Sequence, residues 1–110
     1  TFITEGDAIQ EMPALKLRHL FLFNDILIIS TPKKQKYRCN KILELEHSKI
    51  VGLPKEVKPN AFRIIHKEQN FDFNSESAEE KDKWLSDISD AIFTYKKNDY
   101  ERRVLSRSQE

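Results

Sequence analysis

Leu17-Arg18-His19-Leu20-Phe21-Leu22-Phe23-Asn24-Asp25-Ile26-Leu27-Ile28-Ile29-Ser30 is the stretch on which the fold turns. Two apolar runs, Leu17–Phe23 and Ile26–Ser30, flank Asn24-Asp25. Asn and Asp tolerate left-handed backbone angles, so the spacing predicts two strands joined by a tight hairpin turn. Both faces of the first strand are apolar, with Phe21 and Phe23 on one and Leu20 and Leu22 on the other. A half-buried strand alternates apolar with polar residues, so the second face needs a cover. Two covers stay open: a helix of the same domain, or a neighbouring domain.

Working outward, the same texture continues. Phe2 to Gln10 reads as a strand before the hairpin, and Thr31-Pro32-Lys33-Lys34-Gln35 as a turn after it. Tyr37–Leu45, Ser48–Val51, Ala61–His66 and Phe71–Phe73 follow as strands. A loop from Gly52 to Asn60, with Pro54 and Pro59, and a turn at Lys67-Glu68-Gln69-Asn70 separate the later ones. Strands this short with turn signals between them predict a meander that forms a sandwich or barrel. No helical pattern intervenes, so the sheet is expected to be antiparallel.

At Ser77 the periodicity changes from two to 3.6. Ser77-Ala78-Glu79-Glu80 has the form of a capping box, with acids in the first turns that suit the helix dipole. Trp84, Ile88, Ala91, Ile92 and Tyr95 then fall on one stripe with Leu85 beside it, while Asp82, Ser86 and Ser89 form a polar face. This amphipathic helix fits the open end of a strand barrel. Residues 96–110 are largely polar with two spaced apolar residues, Tyr100 and Val104, four apart, and read either as a continued or restarted helix or as a frayed extension. Residues 1–95 are the expected domain.

Composition narrows the function classes. The chain has 110 residues, the size of one domain. The single cysteine, Cys39, cannot form an internal disulfide, which favours a reducing, cytoplasmic setting. The chain begins at Thr1 rather than Met and reads as a fragment without a signal peptide. No unbroken apolar run exceeds that of Ile26–Ile29, which is far short of the roughly 20 residues of a spanning helix. His19, His47 and His66 are scattered, with no metal-ligand spacing, and no glycine loop or nucleophile elbow occurs. We therefore expect no enzyme, no metal and no cofactor. A pI near 7.8 argues against nucleic acid as a partner. The net charge of +1 conceals an asymmetry: 16–41 carries seven Lys/Arg against one acid, and 76–90 six acids against two Lys. Such polarity orients a domain in the field of an anionic surface.

Seven strands and a capped helix with a central Trp resemble the pleckstrin-homology (PH) fold, a mainly β, seven-stranded antiparallel sandwich or barrel capped by one C-terminal α-helix. Arg18-His19-Leu20-Phe21-Leu22-Phe23-Asn24-Asp25-Ile26-Leu27 resembles the "R-x-L-F-L-F-N-D-x-L" hairpin of PH domains in Dbl-family Rho guanine-nucleotide exchange factors. Phe2-Ile3-Thr4-Glu5-Gly6 resembles their opening strand, Asn60-Ala61-Phe62-Arg63-Ile64 their sixth, and Ser77-Ala78-Glu79-Glu80-Lys81-Asp82-Lys83-Trp84 the start of their closing helix. The resemblance implies a non-catalytic module beside an exchange domain in a parent chain, with a Rho-family GTPase as a further partner.

It also implies where a ligand would sit. In that fold the loops after strands one, three and six open at one end. Mapped here, Lys16 and Arg18, then Lys33, Lys34, Lys36 and Arg38, then Lys67, would ring a phosphoinositide headgroup. Each Lys or Arg near an anionic leaflet contributes about 1 kcal/mol, enough for weak, salt-sensitive recruitment of a cytoplasmic protein. The family's phosphate motif is only half present: Lys16-Leu17-Arg18 matches, but Asp7-Ala8-Ile9-Gln10-Glu11 lacks the Lys of the first strand. A one-residue slip would turn Leu17 and His19 to the site instead, and Glu5, Asp7 and Glu11 would then repel phosphates. Two alternatives stand beside lipid binding. The cations solubilise loops, or the fold is a protein-interaction module without specific lipid binding.

Overall fold

The computed structural model describes residues 1–108. The strands are β1 (Phe2–Met12), β2 (Lys16–Phe23), β3 (Ile26–Lys33), β4 (Lys36–Glu44), β5 (Ser48–Gly52), β6 (Ala61–His66) and β7 (Gln69–Asn74), followed by α1 (Ala78–Ser108). They form one antiparallel sheet in the order β4-β3-β2-β1-β7-β6-β5. β1 belongs to both halves: it pairs β2 from Phe2 to Gln10, and β7 from Ile9 to Met12 across a register shift. Leu20, Leu22, Leu27, Ile29 and Leu43 from one half meet Phe62, Ile64, Phe71 and Phe73 from the other in a single cluster. The sheet therefore curls on itself around its core, the expected mainly β architecture.

The helix plugs this curl. Trp84 is fully buried and stacks on Phe62 at 6.4 Å between ring centres, with Ile88 and Ala91 in the same cluster. Ser77 caps the first turn, its Oγ accepting from the Glu80 backbone N–H at 3.1 Å. Gly6 owes its identity to this plug: a Cβ there would stand 3.0 Å from Trp84 Cζ2. Its φ is not positive, so close approach of the indole and not a left-handed backbone is what requires a glycine here.

Three local readings change. The turn after β3 shrinks to Lys34-Gln35, because β3 runs on to Lys33 with Pro32 inside it. Beyond Ser30, β3 pairs only with β4, an edge position that tolerates proline's missing donor. The left-handed residue of this turn is Gln35, with φ 61°, while Asn24 and Asp25 have no positive φ. Their turn is tied instead by Asn24 N–H to Thr1 O and Leu45 N–H to Asp25 O, both 2.9 Å. Leu45 itself leaves the strand for a 3₁₀ turn, Leu45–His47.

The helix continues without a break to Ser108, a length of about 46 Å at 1.5 Å per residue. From Lys96 to Arg107 every residue is exposed except half-buried Asp99, which pairs with Arg103 at 2.9 Å and Arg102 at 3.6 Å. Such pairs three and four apart support an exposed helix. Gln109 and Glu110 of the predicted extension lie outside the described residues.

Candidate functional site

The basic residues are placed by the β1–β2 register. Gln10 pairs with Lys16, Ala8 with Arg18 and Asp7 with His19. Alternation then sets Lys16 and Arg18 on the face of Leu20 and Leu22, which are in the core, and turns Leu17 and His19 outward. The slipped register is thereby excluded.

On the neighbouring hairpin, Leu27 and Ile29 are core residues, so Thr31 and Lys33 continue the inner face. Their cross-strand partners are Arg38 and Lys36. Lys34 stands at the tip of the turn. Lys16, Lys33, Lys34, Lys36 and Arg38 are all exposed, and among the described residues none makes an ion pair or side-chain hydrogen bond. Lys33 directly opposes Lys36, a like-charge pair that disfavours the bare ladder and favours a bound anion.

Arg18 differs from the other five. Its Nε donates to Gln10 Oε1 at 3.1 Å, and its Nη1 to Thr31 Oγ1 at 2.5 Å and Asn40 Oδ1 at 3.2 Å. The guanidinium fastens β1, β3 and β4 together, leaving fewer of its donors for a ligand. Gln10 is the β1 residue opposite Lys16. It is buried, and its amide also donates to Ala14 O at 3.1 Å. β1 thus adds no charge to the site.

The acids expected to repel phosphates are turned away. Glu5 and Asp7 lie on the outer face and bond His19, while Glu11 pairs with Lys58 of the β5–β6 loop. Burial works against charging His19, but the hydrogen bonds it donates to Asp7 and Glu5, with the charges of those acids, outweigh it and raise its pKa. Lys67 lies by the C-terminal end of β4, whereas Lys36 stands at its start. The Lys67 backbone N–H bonds His47 O at 3.0 Å, and its charge acts on Glu44.

Sequence reasoning did not foresee the extent of the outer face. Phe21 and Phe23 are half-buried there, Tyr37 stands edge-on to Phe21 at 5.1 Å, Phe2 edge-on to Phe23 at 5.6 Å, and Ile42 is opposite Ile28. The helix covers the Leu20 and Leu22 face instead. The signal was the second apolar face of the hairpin; its continuation onto Tyr37 and Ile42 depended on a register that cannot be read locally. Among the described residues no group of His, Cys, Asp and Glu could hold a metal, and no helix is long and apolar enough to cross a membrane.

A curled seven-stranded antiparallel sheet plugged by one C-terminal helix with a central Trp defines a pleckstrin-homology domain. The chain belongs to the SOS1/NGEF-like PH domain family, whose model matches residues 3–91. It is 35% identical over 98 residues to the human FYVE, RhoGEF and PH domain-containing protein 6, and 34% identical to the mouse protein of that name. Each match covers 87% of this chain but only 7% of the relative's length. In fold it is similar to the linker-DH/PH domains of p115-RhoGEF, with a TM-score of 0.77 at 15% identity over 86% of this chain and 29% of that one. The DH/PH fragment of PDZRHOGEF, solved in complex with human RhoA, gives the same TM-score at 19% identity and the same coverages.

Proposed function

We propose that this domain is the PH module of a Rho guanine-nucleotide exchange factor, that it binds anionic, phosphoinositide-bearing membrane weakly, and that it thereby positions an adjacent exchange domain. The observation that carries the membrane part is the set of five exposed cations, unpaired among the described residues, with Lys33 facing Lys36 across the ladder. The lack of a cation on β1 and the commitment of Arg18 to internal bonds support weak, salt-sensitive attraction rather than a stereospecific headgroup pocket. The relatives' names and the DH/PH neighbours in fold support the exchange-factor setting.

Vesicle co-sedimentation tests the membrane reading. Vesicles containing phosphoinositide should bind the domain at low salt and neutral vesicles should not, with binding lost at high salt and on Lys33→Glu with Lys34→Glu. Equal binding to both vesicles overturns it. The outer face of Phe21, Phe23, Tyr37 and Ile42 favours a second reading, a docking surface for a protein partner such as the exchange domain. In a fragment carrying both domains, Ile42→Glu should then change nucleotide exchange while vesicle binding stays intact. Charge reversal at Lys33 and Lys34 that leaves recruitment unchanged but alters exchange also favours that second reading.

A further inference from the structure

The sheet has two edges, and they differ. β4 carries Lys36, Arg38 and Lys41 and is bulged at Asn40, between the pairs Ile29–Lys41 and Ser30–Cys39. Charges and bulges are the devices that protect an edge from further pairing. β5 has neither a bulge nor more than one charge: it is the regular run Ser48-Lys49-Ile50-Val51-Gly52, paired with β6 alone.

The ladder fixes which backbone groups of β5 face away. Lys67 N–H donates to His47 O and Leu53 N–H to Ala61 O, both at 3.0 Å. Bonded pairs in an antiparallel ladder recur at every second residue, so Lys49 and Val51 spend their backbone groups on β6. The N–H and C=O of Ile50 and Gly52 and the C=O of Ser48 point outward, while the Ser48 N–H is taken by Leu45 O. Among the described residues no backbone group pairs with these outward ones.

Beside this edge runs α1, and between the two lies a groove of about 270 Å³. Ile50 and Ile92, both packed on the core, form its apolar base. Phe93 forms a wall and is 70% exposed. Lys49 and Lys96 stand at the rim, exposed, and among the described residues neither has an ion-pair partner and no carboxylate lines the groove.

We propose that the β5–α1 groove receives an extended, acidic and apolar segment of a partner protein, which adds to the sheet as an eighth strand beside β5. The outward groups of Ile50 and Gly52 supply main-chain hydrogen bonds, and alternate side chains of an extended segment point to opposite sides. Its apolar side chains enter between Ile50, Ile92 and Phe93. Its carboxylates meet Lys49 and Lys96, which disfavour a basic segment. This site is separate from the basic inner surface and does not depend on membrane binding.

The test titrates the 110-residue chain with a short capped peptide alternating glutamate and leucine, read by amide NMR shifts and fluorescence anisotropy. Three further probes are the same peptide with lysine for glutamate, the same peptide N-methylated on its sheet-facing amides, and anionic vesicles. The expected shifts fall on Lys49–Gly52 and on α1 from Ser89 to Lys96. Phe93→Ala or Lys96→Glu, both on exposed side chains, should each weaken binding about tenfold. Lys33→Glu with Lys34→Glu should leave it unchanged, and the N-methylated and lysine peptides should not bind. The proposal is overturned if the N-methylated peptide binds equally well, if the shifts map to β3 and β4, or if the intact protein shows no shift at millimolar peptide. Vesicle binding that shifts the β5–α1 amides and is lost on Lys96→Glu would assign the groove to a membrane surface and also overturn it.

Discussion

The His19 ring is held against Asp7 on the neighbouring strand, Nδ1 to Oδ1 at 2.6 Å, and its other nitrogen lies 2.7 Å from Glu5 Oε2. Both ring nitrogens can donate at once only in the protonated imidazole, so this geometry selects the cation. Tyr37 stacks on the ring at 4.5 Å, which confines it to this site.

The pH dependence follows from the raised pKa of His19. A group whose pKa is higher folded than unfolded contributes stability that is full below the unfolded value, about 6.5, and is lost as pH rises through the folded value. His19→Gln should therefore lower the urea midpoint at about pH 6 more than at about pH 8.5. Equal losses at the two values would show that His19 contributes packing alone.

Gly6 and Trp84 test the plug. Trp84→Ala should cost about 3–5 kcal/mol, enough to unfold a domain of this size. Gly6→Val forces the indole aside and should cost about 1–3 kcal/mol. Both are read from urea denaturation, with the exposed Phe93→Ala as the neutral control.

Lys81 is only 4% exposed, and its Nζ donates to Leu53 O at 2.8 Å and Pro59 O at 3.3 Å. It pins both ends of the β5–β6 loop to the helix. Lys81→Met keeps the aliphatic stem but leaves two carbonyls unpaired, a loss of about 1–3 kcal/mol. Limited proteolysis should then cut first between Leu53 and Asn60.

Arg18 and Lys34 should separate stability from membrane binding. Lys34→Ala removes an exposed cation, so it should weaken vesicle binding and leave the melting temperature unchanged. Arg18→Ala opens the bonds to Gln10, Thr31 and Asn40 and should lower the melting temperature as well. An Arg18→Ala protein of unchanged stability would contradict its bracing role.

The strands and the helix start were legible because they rest on local rules. The alternation around Phe21, the polar break at Asn24-Asp25 and the cap at Ser77 each involve residues close in sequence. The turn chemistry was less so, since Thr31-Pro32 reads as a break until β3 is seen to lack a second neighbour there. The candidate site was legible in composition and not in role: Arg18 looks like its fellow cations until three partners 8, 13 and 22 residues away claim it.

By itself the sequence determined a small antiparallel domain with one amphipathic plugging helix and a basic stretch from Lys16 to Lys41, because periodicity, turn residues and charge are properties of neighbours along the chain. Only the tertiary structure decided which face each cation and acid occupies. That choice depends on the register of β1 against β2, and a one-residue shift would exchange the two faces. That register set Glu5 and Asp7 on His19 rather than beside Lys16, and the strand order left β5 as an open edge along α1. Those relations join residues far apart in sequence, and burial of both halves in one core is what fixes them.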